Sequence, residues 1–129
     1  MKNYFLLLVA FFAMSSTYAQ ATLSSITPIP YEIVENQPLY PGGINEFMKF
    51  VGKNFHTPDD ENFPGGILKV TFVIETNGSI NEVKIINDLG FNTGEEIKRI
   101  LSLCPKWTPG DQAGKPARVI YTLPVNIRI

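Results

Sequence analysis

Hydrophobic positions spaced three and four residues apart predict a first helix directly after Gly43. The positions on this apolar stripe are Ile44, Phe47, Met48, Val51 and Phe55. Polar and charged residues fill most of the positions between them. Because a helix with a single apolar stripe has to bury it against another element, we expect this helix to cover a sheet.

Strict alternation of apolar and polar residues predicts a β-hairpin further along the chain. Its first strand carries Leu68, Val70, Phe72 and Ile74 on one face. The pair Asn77-Gly78 then predicts a type I′ turn, which needs two positive φ angles. A return strand is expected over Ile80 to Asn87.

A second helix is predicted at about Glu95 to Leu103, with Thr93 and Glu96 forming a capping box at its start. Pro105 ends it. In the final predicted strand, one face carries Val119, Tyr121, Leu123, Val125 and Ile127. Pro124 lacks an N–H, so this strand either lies at the sheet edge or turns the amide position of Pro124 outward. The order helix, hairpin, helix, strand predicts an α+β fold: a three-stranded antiparallel sheet with two helices packed on one face.

The N-terminus has the pattern of a secretory signal peptide. Lys2 precedes an apolar run from Tyr4 to Met14, and Thr17-Tyr18-Ala19 supplies small residues before a cleavage site. A membrane-spanning helix needs about 20 apolar residues, roughly twice this run. We therefore expect cleavage between Ala19 and Gln20. The expected organisation is a signal peptide at 1–19, an extended leader at 20–36 with a brief strand around Tyr31 to Val34, and one domain at 37–129.

Composition and reactive residues exclude several function classes. The net charge is −1 without a basic cluster, which disfavours nucleic acid as a partner. The single cysteine, Cys104, cannot form an internal disulfide and is expected to be a small buried hydrophobe. His56 is expected in a solvated loop. The acidic run 59–61 lacks the ligand spacing of a calcium loop. Trp107 is expected to cover the core. We therefore predict no catalytic residue, no metal site and no cofactor, and not an enzyme.

Four stretches in a fixed order make the chain resemble the C-terminal domain of TonB, the periplasmic energy transducer of Gram-negative bacteria. They are Asn36 to Gly43, Gly66 to Ile74 with its turn at Asn77 to Ile80, Pro105 to Gly110, and Gly114 to Pro116 leading into Tyr121 to Val125. Together they cover almost all of 36–129. The Tyr-Pro-Gly-Gly motif and the cut before Gln20 are similar to versions found in Bacteroidetes-type bacteria.

The resemblance implies both a function and a set of contact residues. In that family the domain binds the TonB box, a short segment of outer-membrane receptors, which adds as a strand beside the last strand of the sheet. Carried to this sequence, the implied peptide-binding residues are Gln37, Leu39, Tyr40, Arg118, Ile120, Thr122 and Pro124. The implied partners are TonB-dependent outer-membrane receptors or other envelope proteins, and the implied location is the periplasm.

Two other functions stay open from sequence. One is an energy transducer that keeps its N-terminus uncleaved as an inner-membrane anchor. The other is an enzyme or enzyme inhibitor that uses the same fold, since fold alone does not dictate function. An exposed last strand would also permit a homodimer through edge pairing.

Overall fold

A computed structural model describes residues 27–129 of the chain. The predicted signal peptide, its cleavage site and the first part of the leader lie outside these residues. The elements, in chain order, are β1 (Ile29–Pro30), α1 (Ile44–Asn54), β2 (Gly66–Ile74), β3 (Ile80–Asn87), α2 (Thr93–Ser102), β4 (Gly110–Gln112), β5 (Lys115–Ala117) and β6 (Val119–Ile127). Within 27–129, neither helix has the length and hydrophobicity needed to cross a membrane.

The main sheet has four strands in the order β1-β6-β2-β3. Strand β6 pairs antiparallel with β2 along its whole length, from Ile74 opposite Val119 to Gly66 opposite Ile127. Strand β1 pairs with β6 in the parallel direction. The predicted α+β class is confirmed, but the prediction of a three-stranded antiparallel sheet is wrong, because part of the leader returns beside the last strand and adds a fourth one.

The core lies between the helices and one face of the sheet. The predicted alternation is confirmed in β2 and β6, whose inward side chains are buried or half-buried together with the inward residues of both helices. The first helix buries less than its stripe predicts: Phe47 and Val51 are buried, whereas Ile44 and Met48 are 38% and 41% exposed. Phe50, outside the predicted stripe, packs against the core instead.

Trp107 is the centre of an aromatic cluster in this core. It is 3% exposed, and its ring centroid lies 4.8 Å from that of Phe47 and 5.7 Å from that of Tyr40. Phe72 and Tyr121 complete the cluster, each at 6.2 Å. The backbone N–H of Trp107 donates to the carbonyl of Gly78 at 2.8 Å, which joins the cluster to the tip of the β2–β3 hairpin. The expected covering role of Trp107 is confirmed.

The turn of the β2–β3 hairpin differs from the predicted one, and the turn between β4 and β5 was not predicted. At the β2–β3 hairpin, Gly78 has φ +85° but Asn77 has no positive φ, so the predicted type I′ turn is wrong. The side chain of Asn77 accepts hydrogen bonds from Ser79 instead, and Gly78 N–H donates to Glu75. Two consecutive positive φ angles occur at Ala113 and Gly114, between β4 and β5. That hairpin had no Asn-Gly or Asp-Gly signal in the sequence.

The predicted capping box at α2 is also wrong. The Thr93 hydroxyl donates backward to the Gly90 carbonyl at 2.7 Å and to Asp88 at 3.2 Å. The Glu96 carboxylate accepts from the His56 backbone N–H and from Arg99. A capping box needs both side chains to satisfy amides of the first turn, and here each has another partner.

The described part of the leader is docked on the domain. Its strand lies at Ile29–Pro30, so the prediction of a strand around Tyr31 to Val34 is wrong. After a turn, Val34 is buried, and Asn36 exchanges backbone hydrogen bonds with Asp111. Leu39 does the same with Thr108. These contacts connect the leader to β4, and the residues directly after the leader to the segment that follows α2.

Candidate functional site: the edge of the last strand

Strand β1 covers only the first two residues of the outer edge of β6, Val119 and Ile120, and the rest of that edge is open. Ile29 and Tyr31 donate their N–H groups to the carbonyls of Arg118 and Ile120. The pairing stops there, since β1 matches only Val119 and Ile120. Over 27–129, no other strand or bridge pairs with the outer side of β6 from Tyr121 to Ile127. We call this side of Tyr121–Ile127 the open edge.

Alternation along β6 identifies which backbone groups the open edge presents. The carbonyls of Arg118 and Ile120 face β1, so even-numbered residues direct their backbone groups outward. Thr122 and Asn126 therefore each present an N–H and a C=O, and Pro124 presents a C=O alone. The sequence predicted that the last strand either lies at the sheet edge or turns the amide position of Pro124 outward. Both are observed: beyond Ile120 the strand is at the edge, and the amide position of Pro124 points away from β2.

The side chains of the open edge are split between the two faces of the sheet. Thr122 and Pro124 are exposed on the face away from the helices. Tyr121 and Leu123 are buried under the helices, and burial raises the pKa of the Tyr121 phenol. A strand added here would place alternate side chains on each of these faces.

The opposite edge of the sheet, along β3, is less suited to strand addition. Glu82 has φ +50°, and the pairing of β3 with β2 shifts register at two places. Such bulges, with the charged side chains of Glu82 and Lys84, are the features by which sheet edges resist pairing with another chain. The β6 edge is therefore the better candidate.

Arg118, one of the predicted contacts, holds an ion-pair network across three strands. Its guanidinium contacts Glu75 at 2.6 Å and Glu82 at 3.0 Å. These hydrogen bonds raise the pKa of Arg118, with the Glu75 bond contributing most. Its side chain is only 17% exposed, so the residue contributes mainly to joining β6 with the ends of β2 and β3.

The other predicted contacts separate into surface and core positions. Ile120 is half-buried, with its carbonyl occupied by Tyr31. Gln37 is exposed, but its amide donates to the Tyr31 carbonyl at 3.0 Å. Leu39 is 56% exposed while its backbone pairs with Thr108. Tyr40 is 8% exposed inside the aromatic cluster, and burial raises the pKa of its phenol. Only Thr122 and Pro124 therefore lie on the open edge.

His56 and Cys104, the two reactive residues considered from sequence, have different surroundings. The His56 side chain is 80% exposed and lies 3.4 Å from Glu96, in agreement with the solvated loop expected from sequence. Cys104 is half-buried beside Trp107, whose indole N–H points to its sulfur at 3.4 Å. Burial raises the pKa of the Cys104 thiol, which disfavours the thiolate that a nucleophile requires.

Comparison with known proteins identifies the family. Residues 64–129 match the model of the Gram-negative bacterial TonB protein C-terminal domain. The chain therefore belongs to this family of cell-envelope proteins, and the resemblance found from sequence is confirmed. Searches of curated proteins and of solved structures give no significant match.

The matched region has a defined relation to the fold. It spans all of β2 to β6 and includes the open edge, whereas β1 and α1 precede it. Domains of this family act in binding and energy transduction rather than catalysis, and they interact with outer-membrane receptors. The family match therefore supports a role in envelope transport.

Proposed function

We propose that the chain is a non-enzymatic periplasmic binding module that captures extended peptide segments of outer-membrane receptors by strand addition to the open edge. The observation that carries this proposal is the outer side of Tyr121–Ile127, which no strand or bridge of residues 27–129 pairs with and which β1 borders at one end. In strand addition, main-chain hydrogen bonds supply affinity and alternate side chains supply selectivity. Membership of a receptor-binding family supplies the class of partner.

The same open edge is compatible with two other roles considered from sequence. Export with cleavage before Gln20 gives a periplasmic module, whereas an uncleaved N-terminus gives an anchored transducer; N-terminal sequencing of the protein from cells distinguishes them. A second copy of the chain could pair along the same edge and compete with peptide. We favour receptor peptides because the family match concerns receptor binding.

The first test is an amide NMR titration of labelled Gln20–Ile129, which contains every described residue. The ligands are TonB-box peptides from receptors of the same organism. We expect saturable shifts at the amides of Tyr121–Ile127, apart from Pro124, which has no N–H. N-methylation of alternate peptide residues provides a control on the ligand, because only one of the two alternate sets faces β6. Absence of shifts at millimolar peptide would refute receptor binding and leave the fold intact.

A matched pair of variants tests the edge itself. Thr122→Pro removes an outward N–H without affecting the ladder to β2, as Pro124 already does two residues later. Thr122→Val keeps that N–H and changes only an exposed side chain. We expect Thr122→Pro to abolish the shifts and Thr122→Val to retain them. Equal binding by both variants would place the peptide elsewhere.

A further inference from the structure

Strand β1 occupies the same edge at which we place the receptor peptide. Ile29 and Tyr31 hydrogen-bond to Arg118 and Ile120, and the ring of Tyr31 meets that of Tyr121 edge-on with centroids 4.8 Å apart. Because these N–H groups point to β6, the nitrogen of Pro30 points away from the sheet. Pro30 cannot donate to a further strand, so β1 also closes this end of the edge.

The attachment of β1 is local, whereas the segment that follows is anchored more firmly. Strand β1 has only two pairs with β6, and Pro30 is exposed. From Val34 onward the chain is held by burial of that side chain and by backbone hydrogen bonds of Asn36 and Leu39. The residues before Val34 therefore depend on the contacts of Ile29 and Tyr31, whereas the chain from Val34 onward has anchoring contacts of its own.

We propose that Ile29–Tyr31 is a displaceable strap that limits how much of the β6 edge a peptide can use. This inference rests on the proposed function and adds a regulatory element to it. With the strap in place, the open edge accommodates about seven residues. A longer peptide that pairs along all of β6 has to take over the carbonyls of Arg118 and Ile120. Its binding therefore requires release of Ile29, Pro30 and Tyr31.

A reversible lock tests this inference. Pro30 and Ile120 are register partners on adjacent strands, and neighbouring strands lie within the distance that a disulfide can bridge. The variant is Pro30→Cys with Ile120→Cys in a Cys104→Ser background, and the background alone is the control. Affinities of a seven-residue and a twelve-residue receptor peptide are measured by calorimetry before and after reduction.

The expected result depends on peptide length. Reduction should strengthen binding of the longer peptide about two- to tenfold, because the peptide can then exchange the strap's hydrogen bonds to Arg118 and Ile120 for its own, and should leave the shorter peptide unchanged. In the unlocked background, the longer peptide should also remove the hydrogen-exchange protection of the Ile29 and Tyr31 amides. Binding of the longer peptide that is equal in both redox states, with protection retained, would overturn the strap alone. Failure of both peptides to bind any form would overturn the proposed function as well.

Discussion

Replacing Trp107 by alanine should cost a large part of the stability of the domain. The side chain is buried and contacts four aromatic rings, and its loss leaves a cavity between α1 and the sheet. Buried aromatic residues truncated to alanine lose about 3–5 kcal/mol, against a total free energy of unfolding of about 5–15 kcal/mol for a domain. The hydrogen bond to Gly78 uses the backbone and remains possible.

Two comparison variants make the measurement specific. Trp107→Phe keeps one ring and loses the hydrogen bond to Cys104, so we expect a loss of roughly 1–2 kcal/mol. Leu103→Ala, at a residue that is 57% exposed, should change the free energy of unfolding by no more than about 0.5 kcal/mol. Urea unfolding is followed by far-UV circular dichroism, because Trp107 is the chain's one tryptophan. A loss below about 1 kcal/mol for Trp107→Ala at unchanged m-value would refute the assigned role in the core.

Three further predictions follow from single contacts. Gly78→Ala should unfold or severely destabilise the domain, because the added Cβ would lie against the Trp107 carbonyl at a residue with φ +85°. Glu96→Gln should be less stable than the parent at pH 7 and approach the parent's stability in acid. The hydrogen bond from Arg99 lowers the pKa of Glu96 in the folded state. The stabilisation is therefore present above the unfolded-state pKa of 4.5 and is lost as the pH falls through the lower folded-state pKa. Pro124→Val should tighten peptide binding about two- to tenfold by restoring one donor to the open edge.

Each of these predictions has a matched control. Gly114→Ala also places a side chain at a positive φ, +76°, but in open space, so it should cost far less than Gly78→Ala in urea unfolding. Leu103→Ala, directly after the same helix and without a titratable group, should show no such pH trend in urea titrations at pH 7 and 3; an equal trend would contradict the Glu96 assignment. Thr122→Val keeps its backbone donor and should leave the affinity unchanged by calorimetry. A Pro124→Val variant no tighter than Thr122→Val would exclude a peptide ladder at that position.

The elements with strong local patterns could be predicted from sequence, and those set by long-range contacts could not. Alternation placed the return strand at Ile80–Asn87 and oriented β6 correctly. The parallel strand β1 has two residues, too few for a period, and its partner lies at the other end of the domain. The Asn77-Gly78 signal marked the correct hairpin but the wrong turn type, since the turn was decided by the Asn77 side chain and by the contact of Gly78 with Trp107.

The candidate site, too, could be predicted from sequence only where a local property of one residue determines it. Pro124 indicated an edge because a missing N–H is a local property of the residue. Tyr40 is one of the peptide-binding residues implied by the resemblance, but its burial depends on Phe47 and Trp107, which no local pattern connects to it. The ion pairs of Arg118 with Glu75 and Glu82 likewise require the assembled sheet.

The central position of β6 also has a kinetic consequence. Both strands that pair with it come earlier in the chain, and β1 pairs with it from the far end of the described region. The β2–β3 hairpin can form from local contacts, but a two-stranded ribbon is marginal in water until a third strand joins it. Forming such long-range pairs reduces the entropy of the intervening chain before the new contacts stabilise the structure, and this slows folding. Arrival of β6 should therefore be the rate-limiting event of folding, so that the strand at which we propose peptide binding also governs how fast the domain assembles.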